Sequence, residues 1–301
     1  MRILIADDSQ TCRMILSGAL KEYGYDVLET VDGMQAWVEL SKPNAPSIAI
    51  LDWVMPKLDG LELIQKVREA NAERPPYIIM LTGKSETKDI ILGLDAGAND
   101  YLIKPFDPNE LRARVQVGRR MIELQDALMK TNEKLNYQAT HDPLTGLLNR
   151  RAIFEKLGDL FSKTGIGDTV LCAGILDIDH FKRINDTYGH QTGDDILCKL
   201  TNILEEITGE SDYIGRIGGE EYLIITAAAS EDEMSARFER YRRQIAETRL
   251  MTRSGALSIS VSIGVACSMY KSTVDELLAA ADAALYDAKN QGRNRVITHK
   301  L

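Results

Sequence analysis

Long apolar runs are missing from this 301-residue chain. Stretches such as Ile78-Ile79-Met80-Leu81 fall far short of the roughly 18 residues that a membrane-spanning helix needs, so no membrane segment is expected. The opening Met1-Arg2-Ile3-Leu4-Ile5-Ala6 meets Asp7-Asp8 before a signal-peptide core can form, and the expected location is cytoplasmic. An excess of positive charge is missing too: 36 basic residues stand against 45 acidic ones, a net charge of −9. Proteins held to nucleic acid by phosphate neutralisation show the opposite balance, so no nucleic-acid partner is expected. Cysteine is scarce. Cys12, Cys172, Cys198 and Cys267 are scattered without a Cys-x-x-Cys pair and read as small buried hydrophobes in a reducing compartment. Fixed-period repeats and low-complexity tracts do not occur. What remains, 44% hydrophobic and 27% charged residues, excludes a largely disordered chain. Its length suits two domains of roughly 100–200 residues each.

The N-terminal part alternates short apolar runs with helical patterns. Residues 2–6 predict a strand ending in Asp7-Asp8, and residues 11–23 carry helical spacing in Cys12, Ile15, Leu16, Ala19 and Leu20. Further strands over 47–51, 77–81 and 101–103 end in Asp52, Thr82-Gly83 and Lys104-Pro105. Continuous apolar strands separated by amphipathic helices predict an α/β domain with a doubly wound parallel sheet covered on both faces. Ligands of such sheets collect at the carboxyl ends of the strands, where Asp7, Asp8, Asp52, Thr82 and Lys104 fall.

A helix is predicted over 107–140, where Gly118 is the only glycine and Asp107-Pro108 forms a suitable start. Val117, Met121, Leu124, Leu128, Thr131, Leu135 and Gln138 alternate steps of four and three, the seam of a dimeric coiled-coil linker. Polar Thr131 and Gln138 weaken its lower half. The first turns, through Leu111 and Val115, also serve to close the first domain. Beyond Pro143 the patterns predict helices over 150–163, 194–207, 231–248 and 274–290. Strands are predicted over 170–176, 212–217, 222–226, 257–266 and 295–298, with Gly218-Gly219 in a hairpin turn. That order predicts an α+β domain with helices packed on one face of the sheet.

Asp7-Asp8, Asp52 within Asp52-Trp53-Val54-Met55-Pro56-Lys57-Leu58-Asp59-Gly60, Thr82 and Lys104-Pro105 together resemble the response-regulator receiver domain, over residues 1–120. The resemblance implies a flavodoxin-like fold and a phosphoryl group accepted by Asp52 from a histidine kinase or phosphorelay donor. It implies one Mg2+ held by Asp7, Asp8, Asp52 and the carbonyl of Val54, with Thr82, Tyr101 and Lys104 as the switch. The residue types suit that chemistry, since crowded carboxylates repel unless a hard divalent cation sits among them. Lysine and metal then neutralise the charge that develops on a transferring phosphoryl group.

Arg216-Ile217-Gly218-Gly219-Glu220-Glu221-Tyr222 is the strongest motif. Asp177-Ile178-Asp179-His180-Phe181-Lys182-Arg183-Ile184-Asn185-Asp186 and Gly189-His190-Gln191-Thr192-Gly193-Asp194 precede it. With Asp142-Pro143-Leu144-Thr145-Gly146-Leu147-Leu148-Asn149-Arg150 ahead of them and Lys289 and Arg293 after, residues 141–301 resemble the GGDEF family of diguanylate cyclases. The resemblance implies condensation of two GTP into cyclic di-GMP by a homodimer. It further implies two Mg2+ per site held by Asp177, the carbonyl of Ile178 and Glu220. Glu220 would deprotonate the 3′-hydroxyl, with Glu221 as acidic support. Lys182, Lys289 and Arg293 would face the phosphates, Asn185 and Asp194 would read the guanine edge, and His190 would contact the nucleotide. Carboxylates on rigid strands suit a two-metal phosphoryl transfer.

Other readings stand beside these. Lys289 and Arg293 alone would be an ordinary basic last turn. Asp186 and Asp195 read as solvated or helix-capping, and His180 as a surface residue. Tyr222, where the family has phenylalanine, adds a hydroxyl that needs a partner. The whole C-terminal part could instead be a catalytically silent GGDEF module that senses nucleotide or scaffolds a partner. Many family members carry an Arg-x-x-Asp product site before the hairpin. Here Gly209-Glu210-Ser211-Asp212 keeps the aspartate and lacks the arginine, which implies weak feedback unless Arg183 or Arg216 reaches the same ligand.

Overall fold

A computed structural model describes the chain apart from residues 71–73, 84–86, 164–169, 210, 229–230, 269–271 and 301. Two compact units form, Met1–Asn132 and Glu133–Leu301.

In the first unit, β1 (Arg2–Ala6), α1 (Gln10–Glu22), β2 (Asp26–Thr30), α2 (Gly33–Leu40), β3 (Ile48–Asp52), α3 (Gly60–Ala70), β4 (Tyr77–Thr82), α4 (Thr87–Asp95) and β5 (Asp100–Ile103) lead into α5 (Pro108–Thr140). The strands build a parallel sheet in the order β2-β1-β3-β4-β5. Strands β3 and β4 are buried at every position, because helices cover both faces. Leu4 and Leu51 pack with Leu63 and Ile64 on one side, and Ile3 and Ile5 pack with Leu16 and Leu111 on the other. The expected strands omit β2. It is an edge strand with mixed exposure, so it lacks the continuous apolar run that marks the central four. Parallel pairing puts the carboxyl ends of β1, β3, β4 and β5 on one edge. Within α5, Leu111, Val115, Gly118 and Ile122 are buried. Val117, Met121, Leu124, Leu128 and Leu135 stay 48–65% exposed.

In the second unit, β6 (Leu148–Asn149), α6 (Arg150–Lys163), β7 (Val170–Ile178), α7 (Phe181–Tyr188), α8 (His190–Ile207), β8 (Tyr213–Arg216) and β9 (Glu221–Ala228) come first. Then follow α9 (Glu231–Glu247), β10 (Leu250–Thr252), β11 (Gly255–Leu257), β12 (Val261–Cys267), α10 (Val274–Asn290) and β13 (Val296–Lys300). Six strands form one sheet in the order β13-β12-β7-β9-β8-β6, with β7 antiparallel to both neighbours. The expectation of helices on one face is corrected. Helices α8 and α9 bury Leu200, Phe238 and Tyr241 against one face, while α6 and α10 bury Ile153, Leu157, Leu277 and Leu285 against the other. Strand β7 is buried from Leu171 to Ile178, as a strand between two helical layers must be. The expected strand over 257–266 is two elements, β11 in a separate hairpin with β10, and β12 in the sheet.

A second correction concerns cysteine. Cys172 and Cys267 lie opposite each other in the β7–β12 register, 4.1 Å apart at Cα, and form a disulfide. They are 95 residues apart in sequence, so only the strand pairing brings them together. Cys12 and Cys198 are unpaired. Among the described residues no helix is long and apolar enough to cross a membrane.

Candidate functional site

The first unit gathers its chemistry at the carboxyl edge of the sheet. Asp7 follows β1 and is buried, Asp8 is exposed, and Asp52 ends β3. One carboxylate oxygen from each lies within 4.8 Å of the others. Lys104, just past β5, reaches Asp7 Oδ2 at 2.7 Å and Asp52 Oδ1 at 2.9 Å. Burial pushes the Asp52 carboxyl above its usual range, more than Lys104 lowers it, and Asp7 adds to the rise. Burial alone would depress Lys104, yet its bonds to Asp7 and Asp52 leave it raised. A cluster of three carboxylates with one ammonium fits a hard divalent cation, which prefers all-oxygen ligands. Asp7 is fixed for this, because its Oδ1 accepts from Ser9 N–H at 2.9 Å and its carbonyl from Arg13 at 2.7 Å. Thr82 is buried at the end of β4. Tyr101 is partly buried, with the Arg114 guanidinium 5.2 Å from its ring centre. The Val54 side chain is exposed.

The second unit gathers carboxylates where β7 meets the β8–β9 turn. Asp177 pairs with Glu221 in the β7–β9 register, and Ile178 N–H donates to the Glu220 carbonyl at 3.4 Å. Lys289, in the last turn of α10, reaches Asp177 Oδ2 at 2.7 Å. Burial raises the Asp177 carboxyl, Lys289 opposes this, and Glu221 and Asp179 add repulsion. Glu220 is raised by burial first and then by Asp177. Carboxylates that repel one another suit divalent cations, although among the described residues only Asp7, Asp8 and Asp52 bring three ligand atoms within 4.8 Å of one another.

The turn itself is braced. Arg216 donates to the Gly219 carbonyl at 2.7 Å and to Asp142 at 3.0 Å. Asp142 also accepts from Thr145 N–H at 2.9 Å. The opening motif therefore supports the turn from below, and Arg216 is engaged there. A Cβ on Gly218 would come within 2.9 Å of Glu221 Oε2, so the glycine leaves room for that carboxylate. The Tyr222 hydroxyl donates to the Leu197 carbonyl at 3.3 Å, and burial pushes it up to about 12.

The remaining expected residues sit on the helices after β7. Lys182 and Asn185 are on α7, and His190 and Asp194 are in the first turns of α8. Lys182, His190, Asp194 and Arg293 are exposed. Asn185 Oδ1 is buried and meets no hydrogen-bond donor among the described residues. An orphaned acceptor of this kind fits a ligand that brings its own N–H groups. Gly193 makes the position possible, since a Cβ there would overlap Asn185 Oδ1.

Three residues escaped the sequence expectations. Asp195 is not merely solvated or capping: Arg253 of the β10–β11 hairpin grips it at 2.9 Å through both Nε and Nη2, holding its carboxyl at about 2. Arg253 also reaches Gln191 at 2.7 Å, so the hairpin is fastened to the helix turn that carries His190 and Asp194. Asp212 is met by Arg237 at 3.6 Å and by the Tyr241 hydroxyl at 3.3 Å. Neither Arg183 nor Arg216 takes that place, and Glu210 lies outside the described residues. Asp179 is buried with three neutral donors around it. Partners at least 25 and up to 115 residues away make all three contacts invisible to local patterning.

Comparison with known proteins gives the family of each unit. A family model for the diguanylate cyclase GGDEF domain matches residues 139–295, and one for the response regulator receiver domain matches 3–116. The chain is 28% identical over 299 residues to the response regulator PleD of Caulobacter vibrioides, covering 98% of this chain and 65% of that protein. It is 40% identical over 187 residues to the diguanylate cyclase DosC of Escherichia coli, covering 60% of this chain and 40% of that protein. The chain thus spans less than two thirds of these curated relatives. Among solved structures, the coiled coil and GGDEF domain of DgcB from Caulobacter crescentus, in complex with c-di-GMP, matches with TM-score 0.57. That pair is 32% identical, over 63% of this chain and 99% of the other. The match over half of its length shows that the chain belongs to the GGDEF diguanylate cyclase family, with a response-regulator receiver domain at its N-terminal side.

Proposed function

We propose that the protein is a diguanylate cyclase, condensing two GTP into cyclic di-GMP with release of two pyrophosphates, and that phosphorylation of Asp52 controls it. The observation that carries this is the meeting of Asp177, Glu220, Glu221 and Lys289 at the end of β7. Asp177, the Ile178 carbonyl and Glu220 would hold two Mg2+. When bound, these ions neutralise the triphosphate and make the 3′-hydroxyl more acidic. The 3′-oxygen of one GTP attacks the α-phosphorus of the other. Glu220 takes the hydroxyl proton as the bond to pyrophosphate breaks. Lys182, Lys289 and Arg293 bind the phosphates, Glu221 adds negative charge beside Glu220, and His190 contacts the nucleotide. Asn185 and Asp194 accept the guanine N–H groups, which supplies the missing donor at Asn185. One domain holds one GTP, so two copies must face each other about a two-fold axis.

In the first unit, Asp52 attacks the phosphorus of a phosphohistidine donor as the nitrogen–phosphorus bond breaks and the imidazole leaves, while Lys104 neutralises the developing charge. Asp7, Asp8, Asp52 and the Val54 carbonyl would hold one Mg2+ there. Thr82 and Tyr101 follow the phosphoryl group and pass the change to the exposed stripe of α5.

Incubating the purified protein with GTP and Mg2+, followed by chromatography, tests the proposal. Cyclic di-GMP is the expected product. GTP binding without product would make the domain a nucleotide-sensing or scaffold module instead.

The Gly193→Ala variant should bind GTP more weakly, because its Cβ pushes Asn185 from the guanine position. Loss of that contact costs about 1–3 kcal/mol, a rise in KM of roughly five- to 150-fold. Alanine favours a helix by about 1 kcal/mol over glycine, so the melting temperature should not fall in parallel. An unchanged KM would remove Asn185 from guanine recognition.

Feedback by product through Asp212 should be weak. A planar, bidentate arginine anchor is absent at Gly209, and a lost charge-assisted contact costs about 1.5–3 kcal/mol, roughly ten- to hundredfold in affinity. Asp212 is in addition already engaged by Arg237 and Tyr241. A progress curve that stalls at low micromolar product, and recovers in Asp212→Ala, would contradict this.

A further inference from the structure

We infer that Asp179 is a positioning residue that fixes the turn carrying Arg293, and thereby sets the affinity for the triphosphate. The inference rests on the assignment of Arg293 to the phosphates given above.

Asp179 follows β7 by one residue and is 5% exposed. A buried carboxylate normally needs a cation or a full set of donors. Among the described residues no lysine, arginine or histidine forms an ion pair with it. Its donors are neutral and come from two other segments. Oδ1 accepts from the Ser262 hydroxyl at 2.7 Å, and Oδ2 accepts from the Ser260 hydroxyl at 2.6 Å and from Asn294 N–H at 3.0 Å. Its own N–H donates to the Ser260 carbonyl at 2.9 Å. One carboxylate therefore ties the end of β7 to the start of β12 and to the turn between α10 and β13.

That turn needs to be held. Gly292, Arg293 and Asn294 have φ of 114°, 62° and 47°, three consecutive residues on the left-handed side. Asparagine tolerates this conformation, whereas arginine adopts it only when its surroundings impose it. The surroundings do so on each side. Arg293 N–H donates to the Ala288 carbonyl at 3.0 Å, and the Arg295 carbonyl accepts from Ile263 N–H at 2.9 Å. Asn294 is clamped twice, by Asp179 at its backbone and by Arg242 at its side chain, 2.6 Å from Oδ1. Glu239 holds Arg242 in turn, at 2.7 and 2.9 Å. The backbone is thus bound at Arg293, Asn294 and Arg295, while the Arg293 side chain is exposed and makes no ion pair among the described residues. Asp179 refers this arm to the same strand end that presents Asp177.

The test compares Asp179→Ala, Asp179→Asn, Arg293→Ala and the Asp179→Ala/Arg293→Ala double variant in the full chain, with GTP and Mg2+. Asp179→Ala should raise KM roughly ten- to hundredfold, the worth of one charge-assisted phosphate contact, with kcat within about threefold of the parent. Asp179→Asn keeps an acceptor for Asn294 N–H and should restore most of the KM. In the Arg293→Ala background, Asp179→Ala should add nothing further. If Asp179→Ala loses its cooperative melting, Ser260→Ala, which removes one of the two donors from Asp179 Oδ2 and so loosens the carboxylate that holds Asn294, carries the same direction of change in KM. Additive effects, or a fall in kcat at constant KM, would overturn the inference. A raised KM in Arg293→Ala with none in Asp179→Ala would overturn it while leaving Arg293 on the phosphates. An unchanged KM in Arg293→Ala would overturn both.

Discussion

Glu220→Gln should form cyclic di-GMP roughly 10²–10⁴-fold more slowly than the parent protein, the range spanned by removing a general base, and should melt no lower. The exchange replaces one carboxylate oxygen by an amide at similar volume. It removes the proton acceptor and one negative charge from the cation-binding edge. Stability should not suffer, and the sign follows from the electrostatics. Burial and Asp177 raise the Glu220 carboxyl, so the fold penalises its charged form. A neutral amide relieves that penalty at neutral pH. Asp177→Asn behaves differently, since it also strips Lys289 of its partner. Product chromatography beside a thermal melt separates the two outcomes. Normal turnover by a folded Glu220→Gln protein would remove this edge from the chemistry.

Treatment with a phosphoryl mimic such as beryllofluoride should speed turnover by roughly 5- to 150-fold, the usual span of coupling between two sites, and Asp52→Asn should lose the whole response. A phosphoryl group brings about −1.5 to −2 charges to an edge that already holds three carboxylates and one lysine. Lys104 already divides its donors between Asp7 and Asp52, so the new phosphoryl oxygens compete with Asp7 for the same ammonium. Thr82, buried at the end of the neighbouring strand β4, offers a hydroxyl. If Tyr101 moves inward after it, the ring leaves the Arg114 guanidinium now 5.2 Å away. Equal rates in the parent and Asp52→Asn, each with and without the mimic, would take the first unit out of the mechanism.

Much of this was legible in the residues because the chemistry stands at the ends of strongly patterned strands. Continuous apolar runs at β1, β3 and β4 locate Asp7, Asp52 and Thr82, and parallel pairing does the rest. Short or edge elements were not legible: β6 has two residues, β10 has three, and β2 has no uninterrupted apolar run. Long-range partners were not legible either. Nothing near Asp195 in sequence points to Arg253, and nothing near Asp179 points to Asn294. Helices on both faces of the second sheet could have been inferred from β7 itself. Its run Val170-Leu171-Cys172-Ala173-Gly174-Ile175-Leu176 is apolar without alternation, as a strand covered on one face is not. Lys289 shows how one residue type serves two readings, since the basic last turn of α10 also neutralises Asp177.

If a second copy covers it, the stripe along α5 would make the abundance of the protein an input of its own. Five large apolar side chains lie open along one helix, and burying each against a second copy is worth about 1.5–3 kcal/mol before the entropy of association is subtracted. That subtraction is about 4–15 kcal/mol, so what remains is an association that dilution can reverse. If condensation needs two copies, its initial rate then rises with the square of concentration when copies are few and linearly when they are many. Doubling expression would quadruple signal in the first regime and only double it in the second. The cell could therefore set the gain of the phosphorylation switch by transcription alone, without touching either site.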